Sequence, residues 1–252
     1  MRYSLIPHLA LAIGAAACAS PSSRSARAGA GTSAAPAPTP APAATAAGRA
    51  AYPTVNTADL PVAPDSVARR LLVDVHDVDS TIIVRLRYAT SDNFTGAPIP
   101  GYEANRALLR REVAEALARV QHDLAGQGLS LEIFDAYRPV RASEAMVAWT
   151  ERVHRQDLLR DGYIASHSRH NLGVTVDLTL ADRATGRELD MGTPFDTFSP
   201  AAHTANASGV AAANRTKLLN AMAAEGFINY DQEWWHFTYE VPNPLRFDLV
   251  IR

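Results

Sequence analysis

Apolar positions recur along most of the chain with the periods of strands and helices, and this patterning begins near Leu60. From Thr81 to Tyr88, Val84, Leu86 and Tyr88 alternate with Arg85 and Arg87, the two-residue period of a half-buried strand. Between Glu103 and Leu124 the period lengthens. Leu109, Val113, Ala116, Leu117, Val120 and Leu124 fall on one helical face, and Gly126 and Gly128 supply a stop. Leu129 to Phe134 reads as a short strand and Ala142 to about Gln156 as a second helix. Val174 to Leu180 reads as another strand, ending in a turn around Asp182 to Gly186. Val210 to Glu225 is predicted helical with Gly226 as its cap, and Trp234 to Val241 as a final strand. Ser91 to Gly96, followed by Pro98, has the composition of a loop. Helices and strands intersperse without the regular spacing of βαβ units. The pattern therefore predicts one α+β domain over residues 60–252, with a mostly antiparallel central sheet flanked by helices.

Before residue 60 the pattern fails. From Ala19 to about Tyr52 the chain is almost entirely Ala, Pro, Ser, Thr and Gly with a few Arg, too poor in bulky apolar surface to offset the entropy of ordering it. Residues 19–59 are expected to be a flexible tether. Residues 1–18 read as an export signal: Arg2 supplies positive charge, Leu5 to Ala17 is mostly apolar, and small residues lead to Cys18. The apolar run is short for a permanent membrane span. A Cys directly after small residues resembles a bacterial lipoprotein signal, with Cys18 as the lipidated first residue of an exported, membrane-anchored protein. Ordinary cleavage near Ala17 or Ala19 is the alternative.

Composition narrows the chemistry. Hydrophobic residues make up 47% and charged residues 20% of the 252, the profile of a globular domain, and the net charge of -2 comes without any basic run that would suit nucleic acid. Cys18 is the only cysteine, so any metal must be held by His and carboxylates.

Of eight histidines, six sit in the leader or in polar or helical contexts that suit solvation or hydrogen bonding. Two have other surroundings. His170 lies in a polar loop before Gly173, and Asp177 follows inside an apolar strand, where a carboxylate needs a cation or donors. The pair could ligate zinc, or Asp177 could be a hydrogen-bonded residue at a strand end. Glu233 and His236 flank Trp234 and Trp235; strict strand alternation would send them to opposite faces, but a turn at the start of the strand would aim both at one cleft. The alternative is a pair of core tryptophans with polar neighbours. Together the segments supply what a hydrolytic zinc site needs: three ligands, His170, Asp177 and His236, with the fourth position left for water, and an unligated carboxylate, Glu233, as base. Arg138 is the candidate cation for an oxyanion, or else a structural ion-pair partner.

At this point the sequence resembles the D-alanyl-D-alanine dipeptidases of the vancomycin-resistance type, M15-like zinc peptidases. The resemblance runs from Leu71 to Arg252 through ordered segments: Tyr88-Ala89-Thr90 with Asn93-Phe94-Thr95-Gly96, then Tyr137-Arg138-Pro139, Ser168 to Leu180, Met191 to Asp196, and Glu233-Trp234-Trp235-His236. It implies one zinc ion on His170, Asp177 and His236, Glu233 as general base and Arg138 stabilising the transition state. It also implies Asp196 at the amino group of bound D-Ala-D-Ala, Ser168 at its carboxylate, and Tyr88 nearby. Thr175 stands where the family usually has Ala, and Asn171-Leu172 where Ser-Arg is commoner, so the β-branched Thr175 could narrow the pocket. The export signal is a further departure, since the resistance enzymes act in the cytoplasm. Two rival functions remain: a peptidoglycan carboxypeptidase or endopeptidase on longer stem peptides, and a non-catalytic, lipid-tethered wall-binding protein.

Overall fold

The structure is a computed structural model that describes residues 52–53 and 57–252; the leader, Cys18 and most of the Ala/Pro-rich stretch lie outside them. In chain order the elements are β1 (Val62–Ala63), α1 (Asp65–Leu71), β2 (Leu72–Asp74), β3 (Ile83–Val84), β4 (Leu108–Arg110), α2 (Arg111–Ala125) and β5 (Leu129–Asp135). These are followed by α3 (Val140–Arg152), α4 (Asp157–Arg160), β6 (Thr175–Asp182), α5 (Gly209–Ala224), β7 (Ile228–Asn229), β8 (His236–Thr238) and β9 (Arg246–Phe247). No helix among the described residues is long and apolar enough to cross a membrane.

The class is α+β. Its central sheet has the order β3-β5-β6-β8-β7 and is mixed: β3 runs parallel to β5, while the other neighbours are antiparallel. Two small sheets, β1 with β9 in parallel and β2 with β4 antiparallel, complete it. Strand β6 lies at the middle, and Val176, Leu178 and Leu180 alternate with Thr175, Asp177 and Thr179; all six are buried. A strand covered on both faces can carry polar alternates only if each finds a partner. The register supplies one: Asp177 stands opposite His236 of β8 on one side and Asp135 of β5 on the other. The sheet thus lines up three ionisable residues in one row.

Helix α2 buries the predicted face, with Val113, Ala116, Leu117, Val120 and Leu124 all without exposure. It begins at Arg111, not near Glu103, because Leu108–Arg110 pair with β2 as a buried strand. Leu109 lies four residues before Val113, so it falls in step with the helical face while belonging to that strand. Burial alternates through 81–88 as predicted, with Ile82, Val84, Leu86 and Tyr88 inside. Only Ile83–Val84 form ladder pairs, however, and Tyr88 sits in a 3-10 turn over Arg87–Ala89. The last predicted strand is shorter too: Trp234 and Trp235 belong to a turn, and pairing begins at His236.

Gly173 joins the 3-10 turn Arg169–Leu172 to β6 with φ +67°, and a Cβ there would collide with the Leu72 side chain. Gly173→Ala combines left-handed strain with overpacking. It is expected to cost about 2–4 kcal/mol of stability, read as a lowered midpoint in urea unfolding.

Candidate active site

Each proposed ligand is aimed by a local device. The turn Arg169–Leu172 opens on Ser168, whose hydroxyl oxygen accepts the His170 N–H at 3.2 Å. His170 Nδ1–H donates to the Ala136 carbonyl at 2.7 Å, which leaves Nε2 to face the cluster. Asp177 and His236 are held by their opposed positions on β6 and β8. Glu233 to His236 closes as a turn, with His236 N–H donating to the Glu233 carbonyl at 3.2 Å. That turn brings both side chains to one cleft, with Glu233 Oε2 3.4 Å from His236 Nδ1.

The ligand atoms of His170, Asp177 and His236 lie within 4.8 Å of one another. Asp177 Oδ2 is 3.3 Å from His170 Nε2, and Asp177 Oδ1 is 3.0 Å from His236 Nδ1. The latter pair is not aligned as a hydrogen bond, and among the described residues Oδ1 has no hydrogen-bond partner although it is buried. A buried carboxylate oxygen left without a donor beside two converging imidazole nitrogens is an arrangement that suits a cation. Two nitrogens and a carboxylate are a donor set that fits zinc.

Around this cluster the charges are unbalanced. Burial would raise the Asp177 pKa, but the adjacent His170 and His236 outweigh it and hold the carboxyl below the usual range. Burial pushes Glu233 well above the ordinary value, helped by the negative charges of Asp177 and Asp196 and opposed by Arg138. Asp196 is likewise raised well above its ordinary value, by loss of water and then by Asp177; the Tyr88 hydroxyl, donating at 3.0 and 3.2 Å, acts the other way. Arg138 is buried, donates through Nε and Nη2 to Asp135 Oδ2 at 3.0 and 2.8 Å, and keeps Nη2 3.8 Å from Asp177 Oδ2. Arg138 is thus an ion-pair partner of Asp135 that also faces the site.

All eight of the predicted site residues in the folded region (Tyr88, Arg138, Ser168, His170, Asp177, Asp196, Glu233 and His236) line one cavity of about 540 Å³. Cys18, the ninth, lies outside the described residues. Thr175 is not among the lining residues; its hydroxyl pairs with that of Thr238 across the sheet, so it does not narrow the pocket. Asn171 fixes the loop, donating to the Arg138 carbonyl at 2.8 Å and to Ser143 Oγ at 3.0 Å.

Three residues that sequence reasoning passed over support the site. Asp135 receives Arg138 and the Tyr102 hydroxyl, the latter at 2.6 Å; its signal was an acidic residue at a strand end three positions before an Arg. Arg215 of α5, buried, donates to the carbonyls of Met191 and His203 at 2.7 Å each and so braces the loop that carries Asp196. Tyr52 places its hydroxyl 2.9 Å from His236 Nε2.

Comparison with known proteins points to one family. Residues 69–243 match the family model described as D-ala-D-ala dipeptidase, Peptidase M15. The chain is 38% identical over 174 residues to the D-alanyl-D-alanine dipeptidase of Streptomyces coelicolor, covering 63% of this chain and 86% of that one. It is 38% identical over 167 residues to that of Enterococcus faecium, covering 60% and 82%. With the Escherichia coli protein of the same name the identity is 37% over 181 residues, covering 71% and 89%.

Asp196 yields a pH-dependent prediction. Because its folded pKa is raised, the folded state binds the proton more tightly than the unfolded one. The stability it allows is complete below the ordinary value of 3.8 and declines as pH rises above it. Asp196→Asn removes that penalty, and Asn tolerates the observed φ of 58°. The metal-free variant should melt a few degrees above the parent at pH 7, with the gain vanishing near pH 3 in calorimetry.

Proposed function

The chain belongs to the D-Ala-D-Ala dipeptidase family, a family of hydrolases, and we propose how its own residues carry out the cleavage of that dipeptide into two D-Ala. The observation that carries the reading is the convergence of His170 Nε2, Asp177 and His236 Nδ1 beside a buried, unligated Glu233. Zinc held by those three residues would supply a polarised, more acidic water and a Lewis acid for the scissile carbonyl.

Glu233 is the base. Its raised proton affinity suits it to accept a proton from the attacking water and deliver it to the leaving amine. Arg138, held in place by Asp135, presents positive charge where the carbonyl oxygen becomes an oxyanion. Asp196 receives the ammonium of the dipeptide, and that positive charge favours the ionised carboxylate which burial disfavours; the Tyr88 hydroxyl keeps it oriented. Ser168 accepts the His170 N–H through its oxygen, so its own hydroxyl proton is free to donate to the substrate carboxylate. A pocket that pairs both charged ends selects by length. A longer peptide puts no ammonium at Asp196, and the site's buried polar groups are then left unpaired. The composition of the chain before Tyr52 supports export, with a lipid anchor on Cys18 and a tether that leaves the enzyme domain outside the cytoplasmic membrane.

Two tests follow. The purified protein should release D-Ala from D-Ala-D-Ala in a chelator-sensitive, zinc-restorable manner, and faster than it trims a stem pentapeptide. Glu233→Ala should retain zinc while kcat falls by about 10²–10⁴-fold; a fully active variant removes Glu233 from the mechanism, and preference for the pentapeptide would favour the carboxypeptidase reading. Mass spectrometry of the mature protein should find an acylated Cys18, whereas an unmodified N-terminus beyond Cys18 would eliminate the anchor.

A further inference from the structure

The family match begins at residue 69, yet the wall of the cavity includes Tyr52, Pro53 and Thr57, which precede it. These residues are attached to the site. Thr57 is buried and donates its hydroxyl to the His167 carbonyl at 2.8 Å, on the stretch leading into His170. The Tyr52 ring packs against those of Tyr230 and His236, with centroids 5.1 and 5.9 Å away. Its hydroxyl meets His236 Nε2 at 2.9 Å, the ring nitrogen opposite the one turned to Asp177.

We propose that Tyr52 is a positioning residue for the metal centre: its oxygen accepts a hydrogen bond from His236 Nε2–H and so holds Nδ1 as the free, ligating nitrogen. The inference rests on the metal reading given above. An imidazole can offer only one lone pair to an ion while its other nitrogen carries the proton, and the partner of that proton fixes both tautomer and ring angle. His170 has such a partner in the Ala136 carbonyl. On His236 the equivalent place is filled by Tyr52, from a segment that the matched family region does not include.

The test compares full-length wild type with Tyr52→Phe, which removes only the hydroxyl and keeps the ring packing. Both are loaded with zinc, and release of the ion to a colorimetric chelator is followed alongside kcat, KM and the melting temperature of the metal-free protein. The expected result is zinc held about 10–100-fold less tightly by the variant, seen as faster release, with the metal-free melting temperature unchanged. A purely structural role for Tyr52 would instead lower that melting temperature and leave release alone, which overturns the inference. Equal retention by wild type and variant overturns it as well. A wild type that binds no zinc overturns the metal reading itself, and the inference falls with it.

Discussion

A carboxylate in the middle of a sheet, covered on both faces, has to be matched by positive charge, because an uncompensated buried ion costs several kcal/mol. Asp177 is that carboxylate. Around it stand Asp135, Asp196 and Glu233, three further acids, while the one guanidinium in ion-pair distance among the described residues, Arg138, is already bonded to Asp135. The imidazoles of His170 and His236 are the remaining basic groups in contact. The protein alone therefore leaves a surplus of negative charge in a buried place, and this adds to the burial that raises the proton affinities of Asp196 and Glu233. The same surplus is what the proposed function would use, with a divalent ion at one end and an ammonium at the other.

The surrounding structure holds this unfavourable cluster together with bonds to the backbone. Ser168 caps the turn of His170, Asn171 ties that turn to Arg138 and Ser143, and Arg215 braces the Asp196 loop through carbonyl oxygens. Trp234 Nε1–H reaches Thr193 Oγ1 at 2.9 Å, linking the loop of Asp196 to the turn that presents Glu233. Side chains that serve backbone carbonyls spend no charge, so they can fix loops beside the acids without neutralising them. Aromatic packing finishes the wall: Phe94 touches Trp149 and Phe198 edge-on, with ring centroids 4.9 and 5.2 Å apart.

The legible part of the molecule was the part governed by local rules. Strict burial alternation through 81–88, the α2 face and the turn at Asp182 to Gly186 follow from periodicity and turn chemistry, which neighbours in sequence determine. The turn that turns Glu233 and His236 to one side was legible because strand alternation would otherwise have separated them. What escaped depended on distant partners. Leu108–Arg110 became a strand because Leu72–Asp74 lies beside it, and the one parallel pair in the central sheet, β3 with β5, has no signature in either strand. Thr175 looked like a pocket residue until Thr238 appeared opposite it. Tyr52 could not be found at all from sequence, since its stretch is low in complexity and its partner is 184 positions away.

The three proposed ligands do not have equal freedom. Asp177 and His236 are ladder partners on adjacent strands, so their separation is set by main-chain hydrogen bonding and by the roughly 4.8 Å strand spacing common to all sheets. His170 is carried by a four-residue turn outside the ladder, between Ser168 and Gly173. Two legs of the tripod are thus part of the building, and the third stands on its own footing. A change of metal preference, in evolution or by design, would have to enter through that footing: lengthening or re-capping one short turn shifts a single donor, whereas moving either of the others means re-registering the sheet.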